Sequence, residues 1–215
     1  MFDPQHAFVD PLLAWYERNG RHDLPWREPE RTPFELLLAE ILLQRTTAEA
    51  VAGAYRPFAA RYPTPETVAV ATTDEIRTHV APLGLVKRAA YLRRCASEIL
   101  ARHSGDVPRE YPELVNLHGV GEYTARSVLI HVTGLGIAAV DTNVKRLLSR
   151  FFDVNPDRNR IAVLADALTP STRSADFQHA MLDFAAEVCT AGSPACSSCP
   201  LRGSCESSEE QFTPR

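Results

Sequence analysis

No stretch of this 215-residue chain reaches the roughly 20 uninterrupted apolar residues that a membrane-spanning helix needs. The opening MFDPQHAFVD lacks the basic and apolar pattern of a secretory signal. A chain with neither feature is expected in the cytoplasm, with no membrane partner, where its five cysteines stay out of disulfides. A basic excess is missing too. The formal net charge is −4, which as a sum argues mildly against nucleic-acid binding. Its distribution argues the other way, because residues 87–109 hold six lysines and arginines against Glu98 and Asp106. Internal repeats and low-complexity tracts are absent, and the strict alternation of half-buried strands is scarce.

What is present is helical spacing. Apolar residues recur at three and four in Phe8, Leu12, Leu13 and Trp15, in Phe34, Leu37, Leu38, Ile41 and Leu42, and in Val51, Tyr55 and Phe58. Prolines 25, 29, 33, 63, 65, 82, 108, 112, 156 and 170 punctuate these runs. An all-α fold of about ten helices is expected. At 45% hydrophobic the chain can bury a core in one domain or two.

The most informative stretch is Leu117–Arg150. Gly119-Val120-Gly121 suits a tight turn between two helices, and its amides, at the start of a helix near Glu122, suit an anion such as a DNA phosphate. Some twenty residues on, Asp141 stands where a helix N-cap or first-turn acid would stand, its charge favoured by the helix dipole. Upstream, Glu40 lies inside a strongly apolar helical run, so it either points to solvent or lines a polar pocket. Gln44 shares its face at i, i+4, with Arg45 following. Leu85 is an apolar residue in an expected loop, either a wedge between bases or a small core anchor.

Cys189, Cys196, Cys199 and Cys205 fall within 17 residues as C-x6-C-x2-C-x5-C. Four thiolates converging in one loop suit zinc or an iron-sulfur cluster, and the metal would supply the core that so short a segment lacks. Structural zinc usually shows two close pairs, whereas this run has one. Cys95 stands apart and reads as a small buried apolar residue.

In unbroken order, LPWR (24–27), EILLQRTT (40–47), LHGVGEYTARS (117–127), AAVDTNVKR (138–146), DFQHAMLDFAAEVC (176–189) and the cysteine run resemble the helix-hairpin-helix base-excision DNA glycosylases related to endonuclease III. The resemblance implies two all-helical lobes: a six-helix barrel with the hairpin at 30–140, and a cluster lobe built from 1–29 and 141–215, whose 189–205 loop ligates a [4Fe-4S] cluster through the four cysteines. The bifunctional relatives carry a lysine two residues after the last hairpin glycine, and the adenine-removing enzymes usually a serine; this chain has Tyr123. Tyr123, the ILLQRTTA stretch and the DF-x5-DF pattern look most like the archaeal-type thymine-DNA mismatch glycosylases. That group tends to carry two arginines where this chain reads Gln44-Arg45.

The expected function is therefore monofunctional hydrolysis of the N-glycosidic bond of a flipped-out thymine or uracil opposite guanine, on mismatched double-stranded DNA, by a monomer. Asp141, Tyr123 and Glu40 form the expected catalytic set. Gln44, Arg45, Leu85, Gly119, Val120 and Gly121 are the expected DNA contacts, Gln44 and Leu85 being the plugs for the gap. Adenine excision with Glu40 as acid is the alternative on the same fold, and a non-catalytic DNA-binding or redox-sensing module the alternative of another class.

Overall fold

The computed structural model describes residues 2–84 and 87–208, and among these every regular element is a helix. No described helix is long and apolar enough to cross a membrane. The chain divides into two compact units: His22–Thr133, and the residues before and after it.

In the first unit, α2 (Pro33–Leu43) opens on a full capping box. The Thr32 hydroxyl accepts the Glu35 amide at 3.2 Å, and the Glu35 carboxylate accepts the Thr32 amide at 2.8 Å. Thr47 caps α3 (Ala48–Arg61) by accepting the Ala50 amide at 3.3 Å. Pro57 lies inside α3 without ending it. A mid-helix proline costs about 3 kcal/mol. Against it stand the buried Val51, Tyr55 and Phe58, worth about 1.5–3 kcal/mol each, so the apolar stripe prevails. After α4 (Pro65–Val70) and α5 (Thr73–Val80) comes α6 (Arg88–His103), which packs on both. Short α7 (Tyr111–Val115) leads through a six-residue turn into α8 (Glu122–Thr133), which packs on α7 and α2.

In the second unit, α1 (Asp10–Asn19) and α9 (Thr142–Phe152) both pack on α11 (Ser174–Glu187), and α10 (Arg158–Leu168) packs on α9. The core is aromatic: Phe8 meets Phe151, Phe152 and Phe177 at ring-centroid distances of 4.7, 5.3 and 6.3 Å, and Trp15 meets Phe184 at 5.0 Å. The contact boundaries fall at 21/22 and 133/134, before the 29/30 and 140/141 expected from the family pattern. The causes are visible in hydrogen bonds. The Arg21 amide and guanidinium reach fully buried Asp183 at 2.9 and 2.8 Å, holding the exit of α1 to α11. Ala138 and Ala139 are likewise held by side chains of α10 and α11.

His131, near the end of α8, gives this fold a pH dependence. Burial, with the nearby Arg27 guanidinium adding, pushes its imidazole down from 6.5 to about 4. The folded protein thus disfavours the protonated form, while the unfolded chain takes up the proton as pH falls through 6.5. Stability should fall between about pH 6.5 and about pH 4, by at most about 3 kcal/mol, and this part should level off below. Melting temperatures across that range are expected to decline less steeply for His131→Gln than for the wild type. Parallel slopes would remove His131 as the cause.

Candidate functional site

The turn between α7 and α8 depends on Gly119, whose φ of +83° is open to glycine at no cost. A Cβ there would also lie 2.9 Å from the Tyr91 Cβ of α6. Gly121 differs: φ is not positive, and a Cβ there would meet nothing within 4 Å. The Val120 amide donates to the Leu117 carbonyl at 3.1 Å, so it is spent inside the turn. Among the described residues, the Gly119 and Gly121 amides make no hydrogen bond.

Helix α6 supports the turn from behind. The His118 amide donates to Glu98 at 2.7 Å, and the His118 ring packs edge-on against Tyr91. Burial works against the Glu98 charge, but the His118 amide and the Arg94 and Arg102 guanidiniums outweigh it and hold the carboxyl below its ordinary value.

Helix α2 meets α8 and the turn before it through two polar contacts from positions one turn apart on α2. Half-buried Glu40 accepts a hydrogen bond from the buried Ser127 hydroxyl at 2.8 Å. Glu40 is therefore turned toward α8. Gln44, the C-cap of α2, donates its side-chain amide to the Gly119 carbonyl at 2.8 Å. That amide is committed to the hairpin, which departs from its expected use as the gap-filling plug. Arg45 is exposed instead, with φ at +56°, a conformation few non-glycine residues adopt. No hydrogen bond or ion pair reaches its guanidinium among the described residues. Tyr123, half-buried, stands one helical turn before Ser127 on α8. Leu85 lies outside the described residues.

In the second unit, Asp141 caps α9. One carboxylate oxygen accepts the Asn143 and Val144 amides at 2.8 and 2.7 Å, and the other accepts the Asn143 side-chain amide at 2.9 Å. A carboxylate offers about four lone-pair directions, so three are taken and one remains. The chain entering Asp141 is itself clamped. Asp166 accepts the Ala138 amide at 2.9 Å, and Gln178 exchanges two hydrogen bonds with the Ala139 backbone at 2.8 and 2.9 Å. Sequence reasoning missed Gln178; its signal is an amide on the buried apolar face of α11, where only a fixed partner makes it tolerable.

The line continues to the cysteines. Asn143 accepts from Arg146 at 2.9 Å, and Arg146 also donates to the Ala185 and Cys189 carbonyls at 2.7 and 3.0 Å. One turn on, Arg150 donates to Thr190 and Ala191 carbonyls and approaches the Cys189 sulfur at 3.6 Å. All four cysteines line one cavity, walled by Leu147, Phe151, Phe184, Val188 and Leu201. Four thiols around one apolar-walled cavity form a donor set that fits a metal cluster. Burial and the neighbouring cysteines push the Cys199 and Cys205 thiols up, so carrying the thiolates together calls for the balancing charge of a metal.

A hairpin at the head of one helix in the first unit, and a capping carboxylate and a four-cysteine pocket in the second, are the polar features that stand out in this all-α chain. Residues 38–170 match the model of the HhH-GPD superfamily base excision DNA repair proteins, and residues 189–205 match the iron-sulfur binding domain of endonuclease III. The chain belongs to the HhH-GPD superfamily of base-excision DNA repair proteins, and it carries a [4Fe-4S] cluster in the C-terminal segment in which Cys189, Cys196, Cys199 and Cys205 lie. It is 39% identical over 204 residues to the adenine DNA glycosylase of Mycobacterium tuberculosis, a match covering 92% of this chain and 67% of the relative. It is 36% identical over 203 residues to the thymine/uracil-DNA glycosylase of Pyrobaculum aerophilum, covering 90% and 88%. The solved structure of a thermostable thymine-DNA glycosylase superposes with a TM-score of 0.90 at 32% identity, covering 96% of this chain and 97% of that one.

Proposed function

We propose that this protein is a monofunctional DNA glycosylase that removes thymine or uracil mispaired with guanine, acting as a monomer on cytoplasmic DNA. The observation that carries the reading is Tyr123, a residue without an amine, in the first turn of the helix that follows the hairpin. No Schiff base can form there. The Gly119 and Gly121 amides hold a backbone phosphate, which positions the strand without reading its sequence. The open space where a Gly121 Cβ would project suits close approach by that phosphate.

Reaching C1' requires the target nucleotide to leave the stack, and something must fill its place. Arg45, exposed and unengaged among the described residues, takes that role, because the Gln44 amide is already bound to Gly119. As the glycosidic bond breaks, positive charge grows on the sugar. Asp141 stabilises it, and its one remaining lone-pair direction orients the attacking water. The pyrimidine leaves as an anion, eased by donors such as the Tyr123 hydroxyl. The cluster orders the cysteine segment and takes no part in bond cleavage.

Adenine excision is the second reading, favoured by Glu40 and by the adenine DNA glycosylase relative. It asks Glu40 to donate a proton to the purine, whereas Ser127 already uses one Glu40 oxygen as an acceptor. End-labelled duplexes bearing G:T, G:U, A:G and A:8-oxoguanine separate the two. Strand breaks at G:T and G:U that appear only after alkali are expected, and breaks at the adenine strands would replace this reading with the second. Tyr123→Lys is expected to add an amine that borohydride traps as a covalent protein–DNA adduct, with strand cleavage before alkali. The wild type should give no adduct; an adduct from it would end the monofunctional assignment.

A further inference from the structure

Arg88, the first residue of α6, is fully buried, yet no carboxylate partners it among the described residues. Its guanidinium donates to two backbone carbonyls: that of Gln44 at the end of α2, and that of Leu83 at 3.3 Å, at the end of a 3-10 turn (Ala81–Leu83). Among the described residues its Nε finds no acceptor. A buried, unpaired cation is costly, and an apolar side chain would fill the same space at lower cost. Packing alone therefore gives no reason for an arginine here. Its forked donors do, since they can hold two helix-end carbonyls that have no intrahelical partner.

The consequence falls on Gln44. Arg88 holds its backbone carbonyl and Gly119 holds its side-chain amide, so the residue is fixed at both ends. The chain must then turn sharply at the next residue, which is where Arg45 adopts its left-handed φ of +56° and stands exposed. We propose that Arg88 is a positioning residue for DNA opening: through Gln44 it locks the Arg45 turn to the phosphate-holding hairpin, so that Arg45 is presented ready to fill the space of an extruded nucleotide. The hairpin grip and the plug then move as one piece. This inference rests on the glycosylase reading but not on which base is removed.

The test is the preference for a duplex with a stable abasic-site analogue opposite guanine over the fully paired duplex, measured by fluorescence anisotropy. Arg88→Met should lower that preference about tenfold, the scale of one charge-assisted hydrogen bond, in a protein that still unfolds cooperatively on heating. Arg45→Ala should lower it comparably, and the Arg45→Ala/Arg88→Met double variant no further than Arg45→Ala alone. Should Arg88→Met fail to fold, Arg88→Lys keeps the charge without the fork and should lose about threefold. A folded Arg88 variant with wild-type preference would overturn the proposal, as would losses that multiply in the double variant. Neither probe contains a mismatched thymine or uracil. A wild-type protein inactive on G:T and G:U would thus refute the base assignment and leave this test standing.

Discussion

Replacing Asp141 with asparagine is expected to cut single-turnover base excision about a thousandfold or more, the scale of losing a preorganised electrostatic contact to the transition state. Duplex affinity should stay close to the wild type's. The substitution is informative because Asp141 has two jobs that respond differently. As the N-cap of α9 it accepts the Asn143 and Val144 amides through one oxygen, and asparagine caps a helix about as well as aspartate. The other oxygen faces the Asn143 side-chain amide, which would then meet an amide or have to turn away from Arg146. That conflict should cost about 1 kcal/mol of stability, far short of unfolding. Asp141→Ala removes cap and charge together and should lose about 1 kcal/mol more. Excision by Asp141→Asn within tenfold of the wild type would remove Asp141 from the chemistry. Excision and binding lost in step would reduce it to a structural cap.

The second large effect is expected at the cysteines. Cys199→Ala should reduce bound iron from about four per chain to near zero and abolish the visible absorbance of the cluster. The segment from Cys189 to Ser208 has only three-residue helical turns, and Leu201 is its one buried apolar residue among those described. Such a segment cannot offset its ordering entropy by burial and depends on the metal. Limited proteolysis should therefore cut Cys199→Ala within this segment while His22–Thr133 resists. The loss should also reach Asp141, because Arg146 donates at once to the Cys189 carbonyl and to Asn143, which holds the carboxylate. Slower excision is expected even where the variant still binds DNA. Full iron content in Cys199→Ala would show a ligand set other than these four cysteines.

Much of this was written in local sequence. Three- and four-residue apolar spacing specifies helices because 3.6 residues per turn is a property of the backbone. Gly119 announces its turn because few other residues take a φ of +83°. Asp141 announces its cap because a short acid ahead of an amphipathic run satisfies amides two and three residues on. The cysteine spacing announces the cluster segment within 17 residues. What local spacing cannot say is which distant backbone a polar side chain will find. Only the packing of α2 on α8 turned Gln44 onto Gly119, 75 residues away, and left Arg45 as the exposed neighbour. The same packing set Ser127 against Glu40, and α11 brought Gln178 to Ala139. A buried Arg88 spanning two carbonyls reads in sequence as one more charge of a basic helix, because burial and partners are properties of the folded chain. The sequence by itself determined the helices, the hairpin, the capping acid and the presence of a cluster segment, all of them short-range consequences of backbone geometry and thiolate chemistry. The tertiary structure alone decided which polar groups are spent on partners inside the fold and which stay exposed, since that choice is made by contacts between residues far apart in the chain.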